Sequence, residues 1–256
     1  ELVARIQILY ARDDGLSSVA VVETPTGERV LRVDGKSDAG TAKDVPTQVM
    51  MAQLPLLFHP NPKRVLMVGL GSGMSLGSVL ADERVERVVV AEISPAVIEA
   101  SRFFERWTGS PLKDPRVTIH QRDIRNLLRL LPREEIFDVI ITQPSNPWQP
   151  GSASLYTKEH LEGMHARLTQ AGLIAQRVPT YELDRDSLDR ILWTYGRVFP
   201  KTRLFNPFGY DFILLSGSEP PTVDFDRARM RLARGPIQAE WRRVRGDGEP
   251  MNLGMV

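Results

Sequence analysis

The stretch from Arg64 to Thr142 constrains the fold most, because apolar runs and helix-like segments alternate there around a glycine-rich junction. Arg64-Val65-Leu66-Met67-Val68 is a short β-branched run, the composition of a strand buried on both faces of a parallel sheet. It passes into Gly69-Leu70-Gly71-Ser72-Gly73 and then into a helical segment. Val88 to Ala91, Arg116 to His120, Phe137 to Thr142 and Leu173 to Gln176 read as four more strands, and Phe212 to Leu215 as a late one. Helices are expected after Ser94-Pro95, which reads as an N-cap and first helical residue, from Lys158 to about Leu168, and from Asp184 to Val198. Repeated strand–helix units joined by right-handed crossovers predict a doubly wound, mostly parallel α/β sheet.

Ahead of this segment the pattern is different. Ile6 to Tyr10, Ser18 to Glu23 and Arg29 to Val33 are short strands, punctuated by Asp13-Asp14-Gly15 and Thr26-Gly27 as hairpin turns would be. Gly35 to Asp44 is polar and small and reads as a loop. Thr47 to Phe58 has helical spacing, with Pro55 expected to bend or end it. The expected division is a small β domain over 1–45, a Rossmann-like catalytic domain over 46–218 and a helical tail over 219–256. The tail carries Arg227, Arg229, Arg231, Arg234, Arg242, Arg243 and Arg245; it reads as one or two solvated helices, the alternative being a surface for phosphate or a partner.

Composition removes several function classes. The 256 residues include no cysteine, which excludes disulfides, thiolate nucleophiles and Cys-based zinc sites. His59, His120, His160 and His165 show no metal-ligand spacing, and no metal is expected. A net charge of +1 gives no reason to expect nucleic acid as a partner. No apolar run approaches the ~20 residues that span a bilayer.

The chemistry-bearing residues cluster at strand ends. Glycines between a strand and a helix allow a sharp turn, close approach of a ligand and use of free helical N–H groups. Here the spacing is GxGxG, with Met74 where a dinucleotide fingerprint places its third glycine, so Gly69, Gly71, Ser72 and Gly73 suit an adenosyl sulfonium better than a pyrophosphate. Glu92, followed by Ile93, ends the next strand; a carboxylate there can accept both hydroxyls of a ribose, or be merely a strand-end acid beside Ser94. Asp123, with Ile124, can receive an adenine amino group, cap the following helix, or do both. Pro144-Ser145-Asn146-Pro147-Trp148 follows the fourth strand and reads as a site loop or a rigid connection, with Ser145 and Asn146 offering polar groups and Trp148 an apolar wall. Gln143 before it is an amide, which does not act as a base at neutral pH. Gln176, Tyr181, Glu182 and Asp211 are further candidates.

Leu54-Pro55-Leu56-Leu57-Phe58-His59-Pro60-Asn61-Pro62-Lys63-Arg64-Val65-Leu66, the glycine loop, Glu92-Ile93-Ser94-Pro95, Asp114-Pro115-Arg116-Val117 and Phe137-Asp138-Val139-Ile140-Ile141 together resemble the spermidine synthase family, from the N-terminal strands to about Gly217. Ser145-Asn146-Pro147-Trp148, Ser154-Leu155-Tyr156-Thr157 and Tyr181-Glu182-Leu183 resemble the branch often fused to multi-pass membrane segments. The resemblance implies a small N-terminal β domain, a Rossmann-like class I methyltransferase fold, a homodimer, a cytoplasmic setting or attachment to a membrane segment, and cofactor contacts at Gly69, Gly71, Glu92 and Asp123. It also marks departures. The family's acidic base after the fourth strand aligns with Gln143, a second acid with Asn146, its Tyr-His pair with Thr47 and Gln48, and the acid of its glycine loop with Ser72. An acid in that loop favours decarboxylated S-adenosylmethionine and repels the carboxylate of S-adenosylmethionine; Ser72 removes the repulsion. The expected activity is therefore an S-adenosylmethionine-dependent methyltransferase acting on a small acceptor. Glu92, Asp123, Ile93, Ile124 and Gln143 would lie on its cofactor side. Gln48, Ser145, Asn146, Trp148, Tyr156 and Gln176 would be at the acceptor, with Tyr181, Glu182 or Asp211 as base. The alternatives are an aminopropyltransferase using decarboxylated S-adenosylmethionine, and a non-catalytic cofactor-sensing domain of a membrane protein.

Overall fold

The computed structural model describes residues 5–149, 151–206 and 211–245. The chain opens with a four-stranded antiparallel meander, β1 (Gln7–Asp13), β2 (Ser18–Glu23), β3 (Arg29–Val33) and β4 (Lys36–Gly40). Strand β4 lies where a loop was expected. Its register, Val33 opposite Lys36, leaves Asp34 and Gly35 as a two-residue turn with φ of 51° and 80°, the left-handed pair that a twisted hairpin requires. The strand is polar because it is an edge of this sheet, and composition alone hides it.

Helix α1 (Val45–Phe58) leads into the main sheet, whose elements follow as β5 (Arg64–Val68), α2 (Met74–Leu80), β6 (Arg87–Glu92), α3 (Pro95–Ser101), α4 (Glu105–Thr108), β7 (Val117–Gln121), α5 (Ile124–Leu130), β8 (Phe137–Thr142), α6 (Lys158–His165), β9 (Leu168–Pro179), α7 (Arg185–Val198), β10 (Thr202–Phe205) and β11 (Asp211–Gly217). The spatial order is β10-β11-β9-β8-β5-β6-β7, parallel from β9 to β7, with β11 antiparallel to both its neighbours. The chain moves outward from β5 through β6 to β7, then returns to β8 on the other side. The crevice at this reversal lies beyond the carboxyl ends of β5 and β8, where such sheets bind ligands. This is a Rossmann-like, class I methyltransferase-type α/β fold with a small N-terminal antiparallel sheet.

Residues Val65, Leu66, Val88, Val89, Val90, Val139, Ile140 and Ile141 are fully buried, as strands covered on both faces must be. Helix α1 continues through Pro55 instead of ending there, because it is buried among the sheet, α2 and a further helix, α9 (Gly235–Arg245). Its final carbonyls would be orphaned in that position. Arg231, on α8 (Phe225–Leu232), donates to the carbonyls of Leu56, Leu57, His59 and Pro60, and Arg84 donates to those of Leu56, His59 and Pro60. The tail is therefore not simply solvated: Arg231 is 6% exposed, and Ile237 and Trp241 join the core. Among the described residues no helix is long and apolar enough to cross a membrane.

Candidate active site

A cavity of about 430 Å3 opens at the reversal crevice, bounded by the glycine loop, the ends of β6 and β8, the start of α1 and strands β3 and β4 of the small sheet. Glycines 69, 71 and 73 all have positive φ, and a Cβ on Gly69 would meet the Gln143 carbonyl at 3.5 Å, so the loops after β5 and β8 touch here. Gly69 and Gly71 line the cavity. Ser72 and Gly73 do not. The Ser72 hydroxyl is buried and donates to Gln48 Oε1 at 2.6 Å, facing α1, and Gly73 is the left-handed N-cap of α2.

At one end Glu92 is buried against the turn, with Oε2 accepting Leu70 N–H and Oε1 accepting Ser94 N–H, each at 2.9 Å. Burial raises its carboxyl above the ordinary range, against the lowering effect of those N–H bonds. Each oxygen keeps a further acceptor direction, so the group fits a pair of ribose hydroxyls. Ile93 and Ile124 give apolar walls beside Asp123. Asp123 is the N-cap of α5, accepting Arg125 N–H at 2.7 Å; the Arg125 guanidinium bonds it too and holds its carboxyl below the usual range.

The opposite end is acidic. Asp38, Asp44 and Asp211 all line it, with Arg177 among them. Asp38 accepts the Ser145 hydroxyl at 2.8 Å and pairs with Lys36 at 3.2 Å. Asp211 pairs with Arg177 at 2.9 Å. Gln143 lies on the wall, its Oε1 3.1 Å from the Ser75 hydroxyl, which itself donates to the Gln48 carbonyl at 2.8 Å. That hydroxyl has one proton. With the Gln143 amide turned over, Nε2 donates to Ser75 and the amide oxygen faces the cavity. Gln48 also lines the wall, but its side chain is committed to the Gly40 carbonyl and to Ser72.

Several expected acceptor residues lie outside the wall. Asn146 is fully buried and accepts from Lys36 and, at 3.0 Å, from the Tyr181 hydroxyl. The Tyr181 ring stacks edge-on to Trp148, which is 42% exposed on the outer side of the loop. Tyr156 is buried and donates to the Ser145 carbonyl, supporting the loop from behind. Gln176 is buried with neither amide atom bonded among the described residues; its strand neighbours Ile174 and Val178 face the core under α5, α6 and α7, whereas Arg177 points the other way. Glu182 is exposed in a left-handed conformation. Neither Tyr181 nor Glu182 is therefore placed as a base. Asp211 is on the wall, with its carboxylate engaged by a guanidinium. Asp38, Asp44 and Arg177 were not legible as site residues. The Asp34-Gly35 hairpin turn was the available signal for Asp38.

A family model described as the spermine/spermidine synthase domain matches residues 45–206. The polyamine aminopropyltransferase of Thermotoga maritima is 27% identical over 234 residues, 88% of this chain and 78% of its own length. The spermidine synthase of Dictyostelium discoideum is 30% identical over 194 residues, 76% of this chain and 67% of its own. A crystal structure of a spermidine synthase in complex with the transition-state analogue AdoDATO superposes with a TM-score of 0.76 at 25% identity, covering 84% of this chain and 74% of that one. With the family model spanning more than half of the sequence, and the fold and crevice to match, the chain belongs to the spermine/spermidine synthase family.

Proposed function

We propose that the protein is an aminopropyltransferase, moving the aminopropyl group of decarboxylated S-adenosylmethionine to a small amine. The observation that carries this reading is the polarity of the cavity, which has a ribose-type carboxylate, Glu92, at one end and three carboxylates, Asp38, Asp44 and Asp211, at the other. Among the described residues two cations, Lys36 and Arg177, pair with acids of this group, so the acceptor end favours a cationic ligand.

The bound cofactor would supply an electrophilic carbon beside a sulfonium. The protein's own residues would do the rest. Glu92 holds the ribose, Ile93 and Ile124 flank the base, Asp123 receives its amino group, and the glycine turn brings backbone N–H groups close. Orientation of the amine against that carbon supplies much of the rate of an in-line displacement.

Methyl transfer from S-adenosylmethionine is the second reading, and a specific observation favours it: the glycine loop turns no acid toward the cavity, and Ser72 faces Gln48 instead. Incubation of the protein with each cofactor and a panel of monoamines and diamines, followed by mass spectrometry, separates the two. Aminopropylated amine with 5′-methylthioadenosine supports the proposal. Methylated product with S-adenosylhomocysteine, and none with the decarboxylated cofactor, refutes it.

A further inference from the structure

Gln143 stands at the end of β8, nearest the glycine turn, where an amide can accept an N–H but cannot take a proton. Among the described residues, the cavity nevertheless contains one carboxylate that no side chain or backbone N–H engages. Asp44 is the N-cap of α1, the position from which an Asp side chain ordinarily turns back onto the first helical N–H groups. It makes no such bond. Its own backbone is already helical, with φ of −85° and ψ of −15°, and Pro46 has no N–H to offer. The side chain turns instead over Gly40, where a Cβ would stand 3.0 Å from Asp44 Oδ2, and its residue is exposed to the cavity. The other acids at this end are compensated: Lys36 and Ser145 hold Asp38 from β4, and Arg177 of β9 holds Asp211 of β11. Among the described residues no hydrogen bond or ion pair engages the Asp44 carboxylate.

We infer that Asp44 is the catalytic base of this enzyme, seating the ammonium of the acceptor and taking its proton. This rests on the aminopropyl-transfer reading. The acceptor enters as R–NH3+ and gives one proton to Asp44. The freed nitrogen lone pair attacks the aminopropyl carbon bonded to sulfur; the C–S bond breaks and its electron pair stays on sulfur, leaving a neutral thioether. The new C–N bond yields a secondary ammonium, and Asp44 returns its proton to solvent as product leaves. Gln143 accepts a second N–H of the amine and fixes its direction. The surroundings suit the task. Protein around Asp44 disfavours its charged form, and Asp211 and Asp38 add to that effect, while Arg177 and Lys36 oppose it; the net result is a carboxyl raised above its ordinary range. One uncompensated carboxylate also selects an acceptor with a single ammonium at this depth, with a neutral or weakly charged tail.

The test compares wild type with Asp44→Asn and Asp44→Glu, using decarboxylated S-adenosylmethionine and a panel of alkyl monoamines and diamines. Expected are a fall in kcat/KM of at least a hundredfold in Asp44→Asn with 5′-methylthioadenosine affinity unchanged, loss of the acidic limb of the pH profile, and partial recovery in Asp44→Glu with that limb moved. Activity of Asp44→Asn within threefold of wild type overturns the inference. If wild type transfers no aminopropyl group to any amine, the functional reading fails, and so does the role of base. Amine titration of the 5′-methylthioadenosine complex then decides the seat separately: affinity lost in Asp44→Asn upholds it, and unchanged affinity overturns it.

Discussion

Replacing Glu92 by Gln should cost the protein most of its affinity for an adenosyl ligand. Both carboxylate oxygens already accept a backbone N–H, from Leu70 and from Ser94, at 2.9 Å each. The side chain is 7% exposed, so neither bond is shared with bulk water. Gln presents one oxygen and one NH2. Whichever way the amide turns, a donor faces one of the two N–H groups, and the ribose hydroxyl on that side loses its acceptor. The other hydroxyl keeps an acceptor but loses the charge. A hydrogen bond to a charged group contributes about 1.5–3 kcal/mol, and a neutral one about 1. Losing one and weakening the other gives roughly 2–4 kcal/mol, or about thirty- to a thousand-fold in Kd. Titration calorimetry with 5′-methylthioadenosine reads this directly, with a thermal melt to show that the turn still folds. A folded Glu92→Gln variant binding within threefold of wild type would refute the placement of the ribose at this carboxylate.

Three further outcomes follow from the fold. Arg231→Met keeps the buried stem but strands the carbonyls of Leu56, Leu57, His59 and Pro60, with Arg84 serving only part of them; thermal or urea unfolding should show a loss of about 2–4 kcal/mol, and an unchanged melt would show that the tail is not needed by α1. Gly77→Ala places a Cβ 2.4 Å from the Thr108 carbonyl oxygen, so strain of about 1–3 kcal/mol outweighs the gain of up to about 1 in helix propensity, and the variant should melt below wild type. Acid titration should show two losses of stability. His160, lowered to about 4 by burial and by Arg125, binds its proton more readily unfolded, so stability falls as pH drops from about 6.5 towards 4. Asp14 would be raised by its partial burial, but the Ser94 hydroxyl and three backbone N–H groups outweigh that and bring it to about 2, so its contribution holds above pH 4 and disappears as pH falls through about 2. His160→Phe should flatten the first phase, and Asp14→Asn the second.

The fold and the Glu92 end of the cavity were legible for the same reason: both are written in contiguous residues. Strand β5, its glycine turn and α2 announce themselves through local composition, and Glu92 follows from ending the next strand. The acidic end was not legible, because it is assembled across the chain. Asp38 sits on an edge strand whose polarity looks like a loop, and Asp44 looks like any helix cap until its backbone dihedrals show that it does not cap. Trp148 was expected as an apolar wall of the acceptor site and Tyr181 as a candidate base; in the structure they pack on one another outside the cavity, with Lys36 over the Tyr181 ring and bonded to Asn146. Sequence spacing cannot distinguish a residue on the inner wall from one supporting it at the next turn of the loop.

The identity of the residue at 143 then has a consequence for the whole site. An acid there would sit at the carboxyl end of a central strand, rigidly fixed and close to the glycine turn. With Gln143 in its place, negative charge at the acidic end comes chiefly from β4 and the segment that joins it to α1, through Asp38 and Asp44. That segment is held to the catalytic sheet by polar contacts, from Gln48 to the Gly40 carbonyl and to Ser72, and from Ser75 to the Gln48 carbonyl. On the proposed function, acceptor recognition is tied to how the N-terminal sheet is seated, and Ser72 would have a purpose unrelated to cofactor choice: it anchors Gln48, one helical turn beyond Asp44. Ser72→Ala should therefore raise KM for the amine more than for the adenosyl cofactor. A variant in which both rise together would show that residue 72 acts on the cofactor after all.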